Sequence, residues 1–231
     1  MRVLVTGGSG FIGLWMIKSL LARGMQVRVL DLTSDGPLVG EILGHTAANV
    51  DWQVGDVSDG EAVEKAAAEC DVLVHLAAVL TPACQENPVR GAEINLIGSL
   101  NVFEAARKHG IKSVVYMSSA GVFGPEDGTT PWPTTHYGAF KLAMEGSARA
   151  YWADHQIASV GFRPLIVYGP GREVGMTAGP SLACKAAARG EDYVIPFTGV
   201  TDFVHVDDVV AAYLAAIETP LSDARAYTLV G

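Results

Sequence analysis

Tyr137 and Lys141 stand four residues apart in His136-Tyr137-Gly138-Ala139-Phe140-Lys141, a spacing that puts both on one face of a helix, one turn apart. An isolated phenol titrates near about 10, and a neighbouring ammonium favours its ionised form. A tyrosine so placed can take a proton from an alcohol. Upstream, the run from Val114 to Gly124 reads as a strand that delivers Ser118 and Ser119 to its C-terminal end, where open parallel sheets place their ligands. A serine hydroxyl there would orient the oxygen that Tyr137 deprotonates, so Ser119, Tyr137 and Lys141 are the candidate catalytic set.

A second cluster lies at the N-terminus. Gly8-Ser9-Gly10-Phe11-Ile12-Gly13 fits G-x-G-x-x-G and falls between the apolar run Val3-Leu4-Val5 and a helix-like stretch. In such a loop one glycine permits the tight turn, one lets backbone approach a pyrophosphate, and one lets the helix sit close to the strand. The free N–H groups at the helix start then supply an anion site. Asp31 closes the second strand eighteen residues after Gly13, where a carboxylate accepts hydrogen bonds from both ribose hydroxyls and repels a 2′-phosphate. The pattern predicts NAD rather than NADP. Asp56 either meets the adenine or serves as a turn residue in Gly55-Asp56-Val57-Ser58-Asp59.

The elements that must hold these groups follow from β-branched runs at 2–6, 27–31, 51–54, 72–76, 113–118 and 159–163, with helix-like segments between most of them. Alternating strand and helix predicts an α/β fold with a doubly wound parallel sheet, the Rossmann arrangement. The first helix should present Ile12, Trp15, Met16, Ser19 and Leu20 to the sheet and stop at Gly24. From Tyr168 the texture changes to Gly169, Pro170, Gly171, Gly175, Gly179 and Pro180 before a helix near 181–189. We expect a dinucleotide domain over 1–168 and a small, partial substrate lobe over 169–231 that includes a segment returning to the first domain, with a last strand at 227–230.

Bulk properties narrow the partners. The 231 residues are 49% hydrophobic, and 25 acidic against 16 basic residues give a formal charge of −9. That balance argues against nucleic acid or an anionic membrane surface. No basic leader with a cleavage site and no run of eighteen apolar residues is found, which predicts a cytoplasmic protein. Cys70, Cys84 and Cys184 are too few and too scattered for a disulfide framework or a metal ligand set. No metal is expected: His205, Asp207 and Asp208 read as lobe-fixing and helix-capping residues.

Together these motifs closely resemble the extended short-chain dehydrogenase/reductase family, in its NAD-dependent sugar epimerase and dehydratase branch. Gly7, Gly10 and Gly13 match its T-G-x-x-G-x-x-G loop, His75–Ala78 its fourth-strand motif and Asn95 the asparagine of the following helix. Ser119, Tyr137 and Lys141 match its catalytic trio, RPLIVYGPG its sixth-strand segment and DFVHVDDV at 202–209 its late block. The resemblance implies that NAD takes a hydride from a substrate carbon while the tyrosine takes the hydroxyl proton. It implies cofactor contacts from Gly7, Gly10, Phe11, Ile12, Gly13, Asp31, Asp56, Val57, Leu76, Ala77, Ala78, Asn95, Tyr137 and Lys141. It also implies a homodimer through the helices near 92–108 and 139–153.

Some positions depart from the family pattern. Ala120 and Gly121 replace the Asp-Glu pair of dehydratases and resemble the epimerase pattern, with Phe123 in place of a tyrosine. Ile166 stands where many nucleotide-sugar enzymes have asparagine, and Thr201 where an arginine often precedes the late block. Epimerisation of a sugar or nucleotide sugar is the leading expectation. A simple dehydrogenase of a small sugar, sugar acid or hydroxy amino acid is the alternative, and a non-catalytic NAD sensor or scaffold the second. Arg172, in Gly169-Pro170-Gly171-Arg172, is a substrate-binding candidate for an anionic group or else a solvated loop residue. His136, beside Tyr137, is the reserve acid–base candidate.

Overall fold

The computed structural model describes every residue except Glu126, Asp127 and Val200, and all side chains among these but that of Met176. Strands β1 (Arg2–Thr6), β2 (Gln26–Asp31), β3 (Val50–Val54), β4 (Val72–His75), β5 (Ser113–Met117), β6 (Ala158–Pro164), β7 (Ile166–Tyr168), β8 (Phe203–His205) and β9 (Ala224–Leu229) occur in that order. The α-helices between them are α1 (Phe11–Ala22), α2 (Pro37–Leu43), α3 (Gly60–Ala67), α4 (Thr81–Glu86), α5 (Pro88–Ala92), α6 (Gly98–His109), α7 (His136–His155), α8 (Gly179–Arg189) and α9 (Val206–Glu218).

Seven strands form one sheet in the order β3-β2-β1-β4-β5-β6-β9, with every neighbouring pair parallel. The order reverses between β1 and β4, so their C-terminal ends open a crevice at the switch point. β1 and β4 are buried along nearly their whole length because helices cover both faces, which is why they read as unbroken apolar runs. One core layer joins Val3, Val5, Leu14, Ile17, Val29 and Tyr213. The opposite layer joins Leu4, Leu73, Phe103, Val114, Tyr116 and Met144.

In α1 the buried residues are Phe11, Gly13, Leu14, Met16, Ile17 and Leu20, whereas Ile12 and Trp15 are only partly covered. The buried face is turned from the expected one because α1 packs on α2 and α9 as well as on the sheet. It ends as anticipated: Gly24 takes φ +71° and its N–H reaches the Leu21 carbonyl at 2.9 Å.

Within 169–231, β8 pairs with β7, α9 packs on α1, and β9 extends the main sheet beside β6. The last strand begins at Ala224, three residues before its expected start. Among the described residues no helix is long and apolar enough to cross a membrane.

Candidate active site

The glycine loop is built from contacts that only a bare backbone allows. A Cβ on Gly13 would lie 2.4 Å from the Gly7 carbonyl oxygen, and one on Gly7, itself at φ +73°, would lie 2.5 Å from Ala77 N. Loop, helix start and the segment after β4 are thus pressed together. Gly10 differs: a Cβ there meets nothing nearer than 3.4 Å, so it would stand in the open space above the loop. That space is a cavity of about 280 Å³ walled by Gly7, Gly10, Phe11, Ile12 and Gly13 on one side and Ser119, Tyr137, Lys141 and Arg172 on the other. A second cavity of about 240 Å³ shares Gly7 and Gly10 and continues past Ser9, Asp31, Asp56, Val57 and Ala77; Leu76 and Ala78 line both. α1 has no side-chain cap, so its first-turn amides are left for a ligand. Two cavities joined over a backbone-only cradle fit a dinucleotide.

Asp31 ends β2 beside this cradle. One carboxylate oxygen accepts the Ser9 N–H at 2.8 Å and the other accepts the Leu32 N–H at 2.7 Å, fixing the group while each oxygen keeps a free lone pair. Leu32 and Thr33 follow, with no arginine to receive a phosphate. NAD should therefore bind far more tightly than NADP, and Asp31→Ala should narrow the gap by weakening NAD. Equal affinities of the wild-type protein in a titration, or a change confined to NADP in the variant, would count against a direct ribose contact.

Asp56 is engaged more heavily than its sequence suggests. It accepts both the N–H and the hydroxyl of Ser58, at 2.9 and 2.8 Å, and pairs with Arg90 reaching over from α5. Burial alone would raise its pKa, but the Ser58 and Arg90 bonds outweigh this and hold it below the usual carboxylate value.

Asn95 lies behind the cavity wall instead of on it. Its side-chain oxygen accepts the Val79 N–H at 3.2 Å and its NH2 donates to the Val79 carbonyl at 3.0 Å, so it clamps the loop after β4. The same loop is held by a buried relay. Ala77 N–H donates to Thr6 Oγ1 at 3.4 Å, Thr6 Oγ1 and His75 Nδ1 are 2.7 Å apart, and His75 Nε2 and Ser99 Oγ are 3.0 Å apart. Ser99 donates to the Asn95 carbonyl at 2.6 Å. With that proton spent, His75 must donate from Nε2 and accept at Nδ1, which fixes the neutral tautomer.

The candidate acid–base residues converge from two elements. Thr135 caps α7 by accepting the Gly138 N–H at 3.1 Å, which sets Tyr137 in the first turn. A Cβ on Gly138 would lie 2.3 Å from the Gly121 carbonyl oxygen, so glycine lets α7 press on the turn that follows Ser119. Ser119 Oγ accepts the Gly121 N–H at 3.0 Å, and its side chain stands near enough to Tyr137 to favour the phenolate. Lys141 is fully buried; its ammonium donates to the Met117 carbonyl at 2.7 Å and lies 5.6 Å from the centre of the Tyr137 ring.

The electrostatics of this pair differ from the simple expectation. Burial pushes the Tyr137 phenol up to about 12; the nearby Ser119 hydroxyl and the Arg172 charge oppose the shift without overcoming it. Burial also brings Lys141 down to about 8. Lys141 is spent on holding the end of β5, so in this structure Tyr137 is a protonated phenol at neutral pH.

Sequence reading missed a buried support behind the site. Glu145 follows Lys141 by one further turn on the same face of α7, accepts the Ser118 hydroxyl at 2.5 Å and takes Arg163 in a two-pronged pair at 2.7 and 2.5 Å. It ties α7 to β6 and pins the residue next to Ser119. An acid extending the Tyr-Lys face, with an arginine on the following strand, was its available signal. His136, by contrast, is exposed and stacks on Phe140 in a separate groove with Thr134 and Thr135. His205 caps α9 by accepting the Asp207 N–H at 3.3 Å.

Comparison with known proteins agrees with this geometry. The sequence matches the NAD dependent epimerase/dehydratase family over residues 3–229. It is 34% identical to the UDP-glucose 4-epimerase of Mycolicibacterium smegmatis over 94% of this chain and 73% of that protein. The crystal structure of the Thermotoga maritima UDP-glucose 4-epimerase with UDP-glucose superimposes with a TM-score of 0.87 at 30% identity, covering 100% of this chain and 77% of that one. The Thermus thermophilus UDP-glucose 4-epimerase in complex with NAD gives 0.84 at 30% identity, over 100% and 78%. The chain therefore belongs to the NAD-dependent epimerase/dehydratase family, and with it to the NAD-dependent enzymes of the extended short-chain dehydrogenase type.

Proposed function

We propose that this enzyme epimerises a secondary alcohol of a sugar or nucleotide sugar, with residues 1–168 holding NAD and 169–231 forming part of the substrate lobe. The observation that carries the reading is the single cavity in which Ser119, Tyr137 and Lys141 face the glycine cradle. NAD held over the glycine cradle and Asp31 would supply reversible hydride acceptance at the carbinol carbon and, in its oxidised form, a positive charge in the cavity. Ser119 holds the substrate hydroxyl by a hydrogen bond, and Tyr137 Oη takes that hydroxyl's proton. Lys141 and Glu145 keep Tyr137 and Ser119 in register by anchoring Met117 and Ser118. Leu76, Leu80, Leu165 and Val167 supply the apolar part of the cavity wall beside the reacting oxygen.

Similarity to UDP-glucose 4-epimerases at about a third identity supports a sugar-like substrate. Ala120 and Gly121 after Ser119, where an acid–base pair for water loss would stand, favour epimerisation over dehydration. A cytoplasmic homodimer, joined through the outer faces of α6 and α7, completes the proposal; Ala139, Ala143 and Ala150 lie exposed on α7, and Ile97 lies exposed just before α6. Incubation with UDP-glucose, UDP-galactose and free sugars tests the activity. The other epimer should form without net NADH, whereas steady accumulation of NADH would make the enzyme a dehydrogenase and overturn the proposal.

A further inference from the structure

The ion pair between Arg90 of α5 and Asp56 is open to water, with side chains 41% and 30% exposed. A pair so placed contributes little to stability. Its hydrogen bonding is nevertheless complete. Arg90 Nη2 donates to Asp56 Oδ2 and Nη1 donates to the Ser58 hydroxyl at 3.0 Å, while that hydroxyl donates its own proton to Asp56 Oδ1 at 2.8 Å. The Ser58 N–H reaches the same Oδ1 at 2.9 Å. Guanidinium, hydroxyl and carboxylate thus close a ring. Glu93 Oε2 also accepts from Nη1, at 3.0 Å, and ties the guanidinium to the turn that follows α5.

Asp56 lines the second cavity together with Asp31, Val57 and Ile94. Here α5 runs through a π-helical turn (Glu93–Ile97) into α6, and a Cβ on Gly98 would lie 2.7 Å from Val57 Cγ1, so helix and loop are pressed together. The backbone of the Asp56 loop is fixed without Arg90. Asn101 donates to the Val57 carbonyl at 3.0 Å, and Asp59 caps α3 by accepting the Glu61 N–H at 3.0 Å. What Arg90 adds is the orientation of one carboxylate. An ionised carboxylate offers about four lone-pair sites. Ser58 takes two on Oδ1 and Arg90 takes one on Oδ2, which leaves a single acceptor site in a group that cannot turn.

We propose that Arg90 is a positioning residue for cofactor choice: by locking Asp56 it makes the enzyme select a dinucleotide whose base carries an amino group, adenine, over one with a carbonyl oxygen in its place, hypoxanthine. The adenine amino group donates to the remaining site on Asp56, whereas a 6-oxo group sets an acceptor against an acceptor. Hypoxanthine has a donor on the neighbouring ring nitrogen, which only a carboxylate free to turn can meet. The inference rests on the reading of Asp56 as the neighbour of the adenine, and the experiment separates the two.

The full chain is titrated with NAD, NADP and nicotinamide hypoxanthine dinucleotide, as wild type and as Arg90→Met, Arg90→Lys and Asp56→Ala. The wild type should bind NAD about tenfold or more tightly than the hypoxanthine dinucleotide, as one charge-assisted hydrogen bond implies. Arg90→Met should bring the two within about threefold, and Arg90→Lys should restore part of the preference. The preference for NAD over NADP, ascribed to Asp31, should stay as it is in both Arg90 variants. A merely structural role would weaken all three dinucleotides by one factor and leave both ratios unchanged, which overturns the proposal. A change confined to NADP would place the guanidinium at the ribose and overturn it as well. If Asp56→Ala erases the adenine preference while Arg90→Met keeps it, Asp56 reads the base unaided and Arg90 has no part. Equal binding of the two dinucleotides by the wild type, or a preference that survives Asp56→Ala, refutes the adenine reading of Asp56 itself, and the proposal falls with it.

Discussion

Replacing Tyr137 by Phe is expected to lower turnover by about 10²–10⁴-fold while leaving NAD affinity nearly unchanged. The variant keeps the ring that packs near Lys141 and deletes one oxygen, the phenolic atom that Ser119 neighbours. Nothing else in the cavity replaces it at that place: Lys141 is committed to the Met117 carbonyl, and His136 is exposed outside the cavity. The pH profile carries a second, independent signal. In this structure burial holds the phenol near 12, so it serves as a base only when a positive charge in the cavity favours the phenolate. The rate should therefore rise with pH along a limb that vanishes in Tyr137→Phe. A limb that persists in the variant belongs to another group, with Lys141 at about 8 the first to consider. Near-normal turnover of the variant, under conditions where chemistry limits the rate, would make the assignment wrong.

The parts of this site that were legible in the sequence are those where one residue type answers one local demand. Gly7 and Gly13 sit where any Cβ would strike backbone, so their spacing announces the cradle directly. Tyr137 and Lys141 share a helix face, and Asp31 ends a strand, both consequences of fixed periods. What stayed hidden depends on partners far apart in the chain. Glu145 meets Arg163 only because α7 packs on β6, and Arg90 reaches Asp56 across 34 residues. Asn95 was expected at the cofactor; its side chain lies one layer back, holding the backbone that lines the cavity. The buried stripe of α1 was misjudged for the same reason. A helix covered by a sheet, α2 and α9 has more than one apolar face, and periodicity alone does not rank them.

Lys141 and His75 show how the fold maintains its site at a cost in charge. Both are buried beside the crevice, and both are pushed by desolvation toward their neutral forms. For Lys141 this means that the ammonium is held against its own desolvation by the single Met117 carbonyl, so its hydrogen bond fixes the end of β5 without adding a stable ion pair. For His75 the neutral form is also the one that the Thr6 and Ser99 hydroxyls can satisfy. A proton added at Nδ1 would force the Thr6 hydroxyl to turn its own proton away and would place a charge in a site stripped of water and close to Lys141.

Acid should therefore open the protein through His75. Burial, followed by the charge of Lys141, lowers its pKa from 6.5 to about 3. Between these values the unfolded chain binds a proton that the folded one refuses, so stability is greatest above pH 6.5 and falls as the pH drops toward 3. At about 1.4 kcal/mol per pH unit the full fall is up to roughly 5 kcal/mol, a large share of the stability of a domain this size. The carboxylates held low, Asp56, Glu64 and Glu104, start from 3.8, 4.5 and 4.5 and so act only at the acid end of this range. The interval from pH 6.5 to 4.5 is thus governed by His75, with an expected loss of about 3 kcal/mol there. Urea unfolding at a series of pH values measures it directly. His75→Gln can bond both hydroxyls but cannot gain a charge, so it should start less stable and lose almost nothing over that interval. A variant whose stability falls as steeply as that of the wild type between pH 6.5 and 4.5 would show that another group governs the acid response.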